Sequence, residues 1–320
     1  MKKFVSFICI LLMLLTMTAC GGNAAADDGK YYIGICQLVT HDALDAATNG
    51  FMDAVKAELG EENVEFDLQN AAGDANTCAS IANAFVAAEV DLIMANATPA
   101  VQNAAAATAD IPILGTSVTE YGVALDIKGF TGTVGGNVSG TSDLAPLEDQ
   151  AAMLQEWFPD AKNVGLLYCA AEPNSKYQVD TISTLLTEKG YTCKMFPFAD
   201  SNDMAAVTNG ACEFSDVIYV PTDNTVASST DIIDGICRPA GVPIIAGEEG
   251  ICAGCGVATL SIDYYDLGYT TGQMAVEILS GKADISTMAV KFAPKVTKMY
   301  NAANCEKLGV TIPEGYVLIG

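Results

Sequence analysis

Basic side chains are scarce in this sequence. Its 320 residues include 15 lysines and arginines against 39 aspartates and glutamates, which gives a formal net charge of −24. So acidic a surface repels polyanions, and the chain has no basic helix-turn-helix, so we expect no nucleic-acid partner. With 51% hydrophobic residues the composition is nevertheless that of a folded protein, and the length suits two lobes with a cleft between them.

Histidine and arginine occur once each, as His41 and Arg238. A Ser-His-Asp or Cys-His catalytic centre would have to use His41, but its neighbours VTHDAL contain no nucleophile elbow and no G-x-S-x-G motif occurs in the chain. The same scarcity excludes a histidine-rich metal site, and no Walker lysine follows the glycine-rich GGNVSG. We therefore expect no enzymatic activity, no metal and no cofactor.

Three other charged residues are candidates for a site. Glu248 and Glu249 could do acid-base chemistry, but we expect them on a strand, where adjacent side chains point to opposite faces and at most one enters a site. Arg238 could hold a ligand carboxylate, but it lies late in a predicted helix and we expect it to stabilise that helix end. A carboxylate would then be held by backbone N–H groups at helix starts and by hydroxyls such as Ser117, Thr141 or Ser142.

The first twenty residues, MKKFVSFICILLMLLTMTAC, have the pattern of a secretory signal peptide, since two lysines precede an apolar run and small residues lead to Cys20. The end of this segment resembles a lipoprotein signal, in which the cysteine carries the lipid and becomes the mature amino terminus. An uncleaved membrane anchor is the alternative, but the apolar run is short for a bilayer. We predict a lipoprotein signal over residues 1–20, lipidation at Cys20 and a flexible tether over residues 21–30.

Nine cysteines remain once Cys9 and Cys20 are set aside. An odd number cannot all pair within one chain, and several lie in apolar runs, where a thiol behaves as a small hydrophobe. We infer a reducing environment. Cys252 and Cys255 in CAGC have redox or metal-site spacing, but no second pair completes a zinc site, and whether these two ever pair stays open.

From Tyr31 onward short apolar runs alternate with helical patterns. YYIGICQLV, VEFDLQN, DLIMANA and IPILGTSV are typical of buried parallel strands, and a helix over residues 43–59 follows Asp42 as its candidate cap. The rhythm stops at GFTGTVGGNVSGTSD and then resumes, with one helix predicted over residues 225–236 and a last helix over residues 266–279. This repetition predicts an α/β protein with two doubly wound, Rossmann-like lobes of parallel sheet.

Small polar residues follow every predicted strand. The segments include QLVTHD, NATPA, GTSVTE, CAAEPNS, PTDNT and GEEG. Because open α/β sheets bind ligands outside the carboxyl ends of their strands, facing sheet edges of this composition predict a cleft for a small polar ligand. Within YVPTDNT, Asp223 or Asn224 could contact the ligand or simply cap the next helix, and both possibilities stay open. Asp223 could pair with a ligand ammonium group.

Several segments together resemble the substrate-binding lipoproteins of ABC importers, in the branch associated with tryptophan and other aromatic amino acids. These segments are IGICQLVTHDALDAATNGF, GGNVSGTSDLAPLEDQ, EPNSKYQV, YVPTDNTVASS, AGEEG and SIDYYDLGYTTGQMAVEIL. The resemblance implies a type I periplasmic-binding-protein fold with a three-strand hinge, crossed near Thr141, Asp263 and Asp284. It implies an N-terminal lobe of residues 31–140 plus 263–284 and a C-terminal lobe of residues 141–262 plus 285–320.

The resemblance also implies a set of ligand contacts at the strand ends and the first crossing. They are Gln37, His41, Thr98, Ser117, Thr141, Ser142, Asp143, Glu172, Asn174, Thr222, Asp223 and Asn224. An aromatic ligand would need a stacking wall, for which Tyr168, Tyr177 and Tyr264 are candidates. Trp157 is expected to pack at a helix end.

The function implied is a non-enzymatic receptor, anchored outside the cell membrane by the lipid on Cys20. It would capture an aromatic amino acid such as tryptophan and deliver it to an ABC permease with its ATPase, acting as a monomer. Two alternatives stay open on sequence grounds: a ligand-sensing module for a membrane receptor, and an importer receptor for a different small solute.

Overall fold

The computed structural model describes residues 29–319. The predicted signal peptide, Cys20 and the tether up to residue 28 lie outside the described residues. Within the described part of the chain, no helix combines the length and the apolar character that crossing a bilayer requires.

Short parallel strands alternate with helices along the chain. The strands are β1 (Tyr31–Gln37), β2 (Val64–Asn70), β3 (Leu92–Asn96), β4 (Ile113–Val118), β5 (Val138–Ser142), β6 (Asn163–Cys169), β7 (Thr192–Phe198), β8 (Val217–Val220), β9 (Ile244–Ala246), β10 (Ala258–Ile262), β11 (Lys291–Phe292), β12 (Val296–Tyr300) and β13 (Val317–Leu318). The helices are α1 (Asp42–Leu59), α2 (Ala75–Ala87), α3 (Thr98–Ala107), α4 (Tyr121–Ala124), α5 (Leu147–Trp157), α6 (Pro173–Glu188), α7 (Ser201–Phe214), α8 (Asn224–Ala227), α9 (Thr230–Ala240), α10 (Glu249–Gly254), α11 (Tyr264–Leu279) and α12 (Ala302–Leu308).

The strands form two sheets, one in each lobe. The first has the order β11-β5-β4-β3-β1-β2 and the second the order β13-β12-β10-β9-β8-β6-β7. Every pair is parallel except β10 with β12. Both lobes therefore share a doubly wound 2-1-3-4-5 core, in which the strand order reverses beside the first strand. The predicted α/β class with two parallel-sheet lobes is confirmed.

The chain passes between the sheets three times. It leaves the first sheet after β5, returns after β10 at Asp263, and leaves again between β11 and β12. The first two crossings lie where they were expected. The expected last crossing near Asp284 comes too early, because Lys291 and Phe292 still pair with Thr141 and Ser142 in the first sheet. Residues 285–292 therefore stay with the first lobe.

Three local predictions were wrong in detail. The helix expected over residues 225–236 is two helices, α8 and α9, which separate at Ser228, whose hydroxyl donates to the carbonyl oxygen of Thr225. Glu248 and Glu249 do not lie on a strand, since Glu248 caps α10 and accepts from the N–H groups of Gly250 and Ile251. Helix α1 begins at Asp42, so His41 and not Asp42 holds the cap position.

Arg238 and Trp157 lie as expected at helix ends. Arg238 is in the last turn of α9 and pairs with Asp234 at 2.8 Å. Trp157 ends α5 and packs edge-on against Tyr316, with ring centroids 5.1 Å apart.

Two glycines allow α11, the helix that follows the second crossing, to pack closely against α1. A Cβ on Gly268 would lie 1.9 Å from the carbonyl oxygen of Ala47, and one on Gly50 would lie 2.1 Å from that of Tyr265. The two backbones thus touch, which only glycine allows. The contact holds α11, and with it the second crossing of the hinge, on the first lobe.

Replacing Gly268 by alanine is expected to destabilise the protein by about 3 kcal/mol, because backbone atoms of two helices must separate to admit one methyl group. Urea unfolding of the purified variant measures the change. Gly210→Ala is the matched control, since a Cβ there meets nothing within 4 Å, and it should stabilise α7 by about 0.5 kcal/mol. Equal stability of the two variants would contradict the proposed packing.

Candidate functional site

The carboxyl ends of the strands at both reversal points meet between the lobes. In the first lobe this edge carries Val39 and Pro99, and in the second it carries Glu172 and Thr225; these four residues line one shared cavity of about 380 Å³. Across the gap, His41 Nε2 lies 3.3 Å from Asn224 Oδ1. A cavity at this place is where an open α/β sheet binds its ligand.

His41 forms the contact between the lobes at the rim of the cleft. Burial lowers the pKa of its imidazole, although the hydrogen bond with Asn224 and the carboxylates of Glu172, Asp45 and Asp42 act in the opposite direction. A neutral imidazole bonded to the opposite lobe stabilises the closed arrangement.

Gln37 and Thr98 come from the ends of β1 and β3. The Gln37 amide is bonded within the first lobe, since it donates to Val39 O at 2.9 Å and to Asp45 Oδ1 at 2.6 Å, and accepts from Thr48 Oγ1 at 2.6 Å. It therefore ties the end of β1 to the first turns of α1. Thr98 is buried and begins α3.

Two residues at these strand ends have backbone conformations that side chains rarely adopt. Ser117 has φ +54° and Ala97 has φ +88°. Such strain costs on the order of 1–3 kcal/mol and is concentrated at binding sites. Ala97 also precedes α3 without giving it a side-chain cap, so N–H groups of the first turn are left for another acceptor.

Three buried polar atoms in the predicted contact set have no hydrogen-bond partner in the described structure. They are Ser117 Oγ, Asp143 Oδ1 and Asn174 Oδ1. An unpaired buried polar atom costs about 1–3 kcal/mol, so such atoms in a cleft are candidates for bonds to a ligand.

A chain of contacts joins two of these residues across the lobes. Tyr264 donates from its hydroxyl to Asp143 Oδ2 at 3.1 Å and is also bonded to the Thr222 side chain. Asn174 Nδ2 in turn donates to the carbonyl oxygen of Thr222 at 3.3 Å. Asp143 and Asn174 thus belong to one polar surface that spans both lobes. Asp143 is 4% exposed, and burial raises the pKa of its carboxyl to about 6.

Asp223 has both of its oxygens occupied by backbone donors. Oδ1 accepts from Val226 N at 2.9 Å, which caps α8, and Oδ2 accepts from Cys169 N at 2.7 Å. Burial and then the charge of Glu172 raise the pKa of Asp223 to about 8. Asp223 is thus the cap of α8, and a ligand contact by Asp223 stays a prediction.

Glu172 and Asn224 extend this cap. Glu172 Oε2 accepts from the N–H and the amide of Asn224 at 3.0 and 2.7 Å, and Oε1 accepts from the N–H and hydroxyl of Thr225 at 2.9 and 2.8 Å. The start of α8 is therefore tied to the end of β6, and it presents Asn224 to His41.

Thr141 and Ser142 lie beside the cleft but are bonded inside the first lobe. Thr141 Oγ1 is 3.2 Å from Thr116 Oγ1 and 2.8 Å from Thr271 Oγ1, and Ser142 donates to the carbonyl oxygen of Thr119 at 2.8 Å. Their strand is paired on both sides, and Thr141 is covered by Thr271 of α11.

The buried charged side chains around the cleft are all acidic. Four carboxylates are buried in the described part of the chain, and none of the buried residues there is lysine, arginine or histidine. The four are Asp143, Glu172, Asp223 and Glu248. Helix N–H groups hold Glu172, Asp223 and Glu248, whereas Asp143 keeps one oxygen free. The arrangement suits a ligand with a cationic group.

Sequence reasoning missed Gln178, which is buried and bonded to both the N–H and the carbonyl of Thr222. Its position four residues after Asn174, on the same face of α6, was a usable signal.

Of the three tyrosines that are candidates for the stacking wall, Tyr264 adjoins the polar surface. Tyr168 packs in the core of the second lobe, and Tyr177 lines a cavity formed with hinge residues. Among residues 29–319 no cluster of side chains suited to a metal ion occurs.

Comparison with known proteins agrees with this geometry. The family described as ABC transporter substrate binding protein matches residues 32–318. A tyrosine-binding protein from Clostridioides difficile strain R20291 is 37% identical over 295 residues, which cover 88% of this chain and 85% of the relative.

Two solved structures differ in how well they superpose. The ABC domain in complex with L-Trp from Streptococcus pneumonia is 32% identical, covers 89% of this chain and 96% of its own, and has a TM-score of 0.84. The ligand-free, open structure of a substrate-binding protein with adhesive properties from Clostridium difficile is 38% identical, covers 90% and 99%, and has a TM-score of 0.69.

The better agreement with the ligand complex, despite its lower sequence identity, indicates that the two lobes are closed on each other here, as the contact of His41 with Asn224 also indicates. A cleft between two doubly wound lobes, closed over unpaired polar atoms, is a solute-binding and not a catalytic arrangement. This chain belongs to the family of ABC transporter substrate-binding proteins, whose members bind solutes without transforming them.

Proposed function

We propose that this protein captures an aromatic amino acid, tyrosine or tryptophan, in the cleft between its lobes and delivers it to an ABC permease and its ATPase. The observation that carries the proposal is the closed cleft with Asp143 Oδ1 unpaired and no buried base nearby. The relatives named for tyrosine and for L-Trp support the ligand class.

Asp143 is the proposed partner of the ligand ammonium group. Its free oxygen is an acceptor in a site without competing cations, and Asn174 Oδ1 offers a second acceptor on the same surface. Three N–H donors of an ammonium group can satisfy both atoms, and a charge-assisted bond of this kind contributes about 1.5–3 kcal/mol.

The ligand carboxylate is proposed to bind at the first turn of α3, with the hydroxyl of Ser117. The uncapped N–H groups and the helix dipole favour an anion there. The aromatic ring then extends towards the cavity between the lobes, where Val39, Pro99 and Ala171 supply apolar wall.

The remaining expectations are also proposals. We infer anchoring through a lipid on Cys20, a monomeric state, and delivery rather than sensing, because the family is that of the importers. Thr98, Thr222 and Asn224 would surround the ligand, while His41 holds the lobes together over it.

L-tyrosine and L-tryptophan are expected to raise the melting temperature of the purified protein, because ligand at about 100 times Kd adds roughly 2.7 kcal/mol. Differential scanning calorimetry with a panel of amino acids measures this. L-leucine and myo-inositol are the controls and should give much smaller shifts. A shift with a control alone would identify a different solute, and the aromatic assignment would then be wrong.

Asp143→Asn is expected to weaken binding of the aromatic amino acid at least tenfold, since the shape is kept and the charge is lost. Isothermal titration calorimetry at pH 7.5 measures the affinity. Asp223→Asn is the comparison variant: asparagine keeps one acceptor oxygen for the cap of α8 and loses the other bond, so stability should fall while the affinity of the folded protein changes less than threefold. The reverse ranking of the two variants would assign the ammonium group to Asp223.

Affinity is also expected to fall as the pH is lowered through about 6. The ammonium group binds ionised Asp143, whose buried carboxyl has a pKa raised to about 6, so below that pH binding must expel a proton. Titrations between pH 5 and 8 should show about a tenfold loss of affinity per pH unit below 6 and a plateau of affinity above 7.

Glu248, Tyr121 and Tyr264 also face the carboxyl of Asp143. Asp143→Asn isolates the part of the pH dependence that is due to Asp143, because the fall in affinity at low pH should vanish in that variant. A fall in affinity that persists unchanged would contradict the assignment.

A further inference from the structure

The second lobe brings two thiols from different helices into contact. Cys212 lies on α7 and Cys237 on α9, and their Sγ atoms are 3.4 Å apart. The two helices pack on each other, and both thiols adjoin the same apolar cluster. Cys237 is only 2% exposed, whereas Cys212 is partly exposed, so solvent reaches the pair from one side.

The other cysteines in the described part of the chain lack either a neighbouring thiol or access to solvent. Cys36 and Cys78 also contact each other, but they are 1% and 0% exposed. Cys252 and Cys255 are buried, and Cys255 Sγ is bonded to the backbone of its own helix turn, to Ile251 O. The remaining exposed thiol, Cys193, has no sulfur partner among the described contacts. Only Cys212 and Cys237 combine proximity with access.

We propose that Cys212 and Cys237 form a reversible oxidation site, at which a disulfide closes between α7 and α9 when the protein meets a disulfide-bonded small thiol. This site is separate from the solute cleft and does not depend on the proposed ligand.

The exchange has a defined order. The Cys212 thiolate attacks one sulfur of the small disulfide, forms a mixed disulfide and releases one thiolate, which takes up a proton. The Cys237 thiol then loses its proton to solvent and attacks the Cys212 sulfur, which releases the second thiol. Two protein thiols are oxidised and one disulfide is reduced to two thiols.

The environment favours Cys212 as the attacking group. When Cys212 is ionised, the neighbouring Cys237 thiol donates a hydrogen bond to it, and this bond lowers the pKa of Cys212. The same contact, and then burial, raise the pKa of Cys237, which therefore stays protonated until the mixed disulfide has formed.

Closing the bond demands little movement. A disulfide has its sulfurs about 2.05 Å apart, so the two side chains must approach by about 1.4 Å, which small rotations on neighbouring helices can supply. The bond would tie α9 to α7 and leave the cap of Asp223 at the start of α8 unchanged. Solute affinity is therefore expected to stay the same, while the second lobe becomes more stable.

The test exposes the folded, reduced protein to oxidised glutathione, then blocks free thiols with iodoacetamide and maps the peptides by mass spectrometry. We expect one cross-link, between Cys212 and Cys237, a loss of about 2 Da from the chain, and reversal by dithiothreitol. The melting temperature of the oxidised form should rise by about 5 °C or more. Cys193, whose pKa is raised by burial, should form no cross-link.

Cys212→Ser is expected to abolish the cross-link and to leave Cys237 unmodified, because no accessible thiol then lies beside Cys237 to start the exchange. Cys193→Ser is the matched control and should cross-link like the parent protein. A stable glutathione adduct on Cys212 without cross-linking would overturn the proposal. So would cross-linking of Cys36 to Cys78 in the folded protein ahead of the Cys212 pair. The peptide map of the parent protein decides the matter even if a variant fails to fold.

Discussion

The closed cleft depends on a buried carboxylate that lacks a cation. Asp143 sits where the chain first leaves the first sheet, with one oxygen held by Tyr264 and the other unpaired. Enclosing such a group is costly unless it is protonated or paired, and its raised pKa reflects that cost. In the proposed binding mode, an ammonium group would remove this penalty when both lobes surround it. Ligand charge and lobe closure would then be coupled through one side chain.

The other acidic groups of the cleft serve the architecture. Glu172 and Asp223 satisfy the start of α8 from the ends of β6 and β8, and Glu248 satisfies the start of α10. Helix N-termini thus take the place of basic side chains, none of which is buried in the described part of the chain. Three of the four buried carboxylates are stabilised in this way, and Asp143 is the one that we propose for the solute.

Much of the fold could be predicted from the sequence, because the βα alternation and the polar strand ends are local patterns. The site was harder to predict from the sequence, because its main contacts join residues that are far apart along the chain. Tyr264 and Asp143 are 121 positions apart, and Glu172 and Asn224 are 52 apart. The cap role of Asp223 depends on the backbone of Cys169, and the last hinge crossing depends on a two-residue strand beside β5. No local pattern carries either fact.

The most direct measurement is a crystal structure of the protein grown with L-tyrosine or L-tryptophan. The ligand should lie between the closed lobes, with its ammonium nitrogen at hydrogen-bonding distance from Asp143 Oδ1, while Asp223 keeps its bonds to Val226 and Cys169. An ammonium group bound elsewhere, with Asp143 still unpaired beside it, would contradict the central claim.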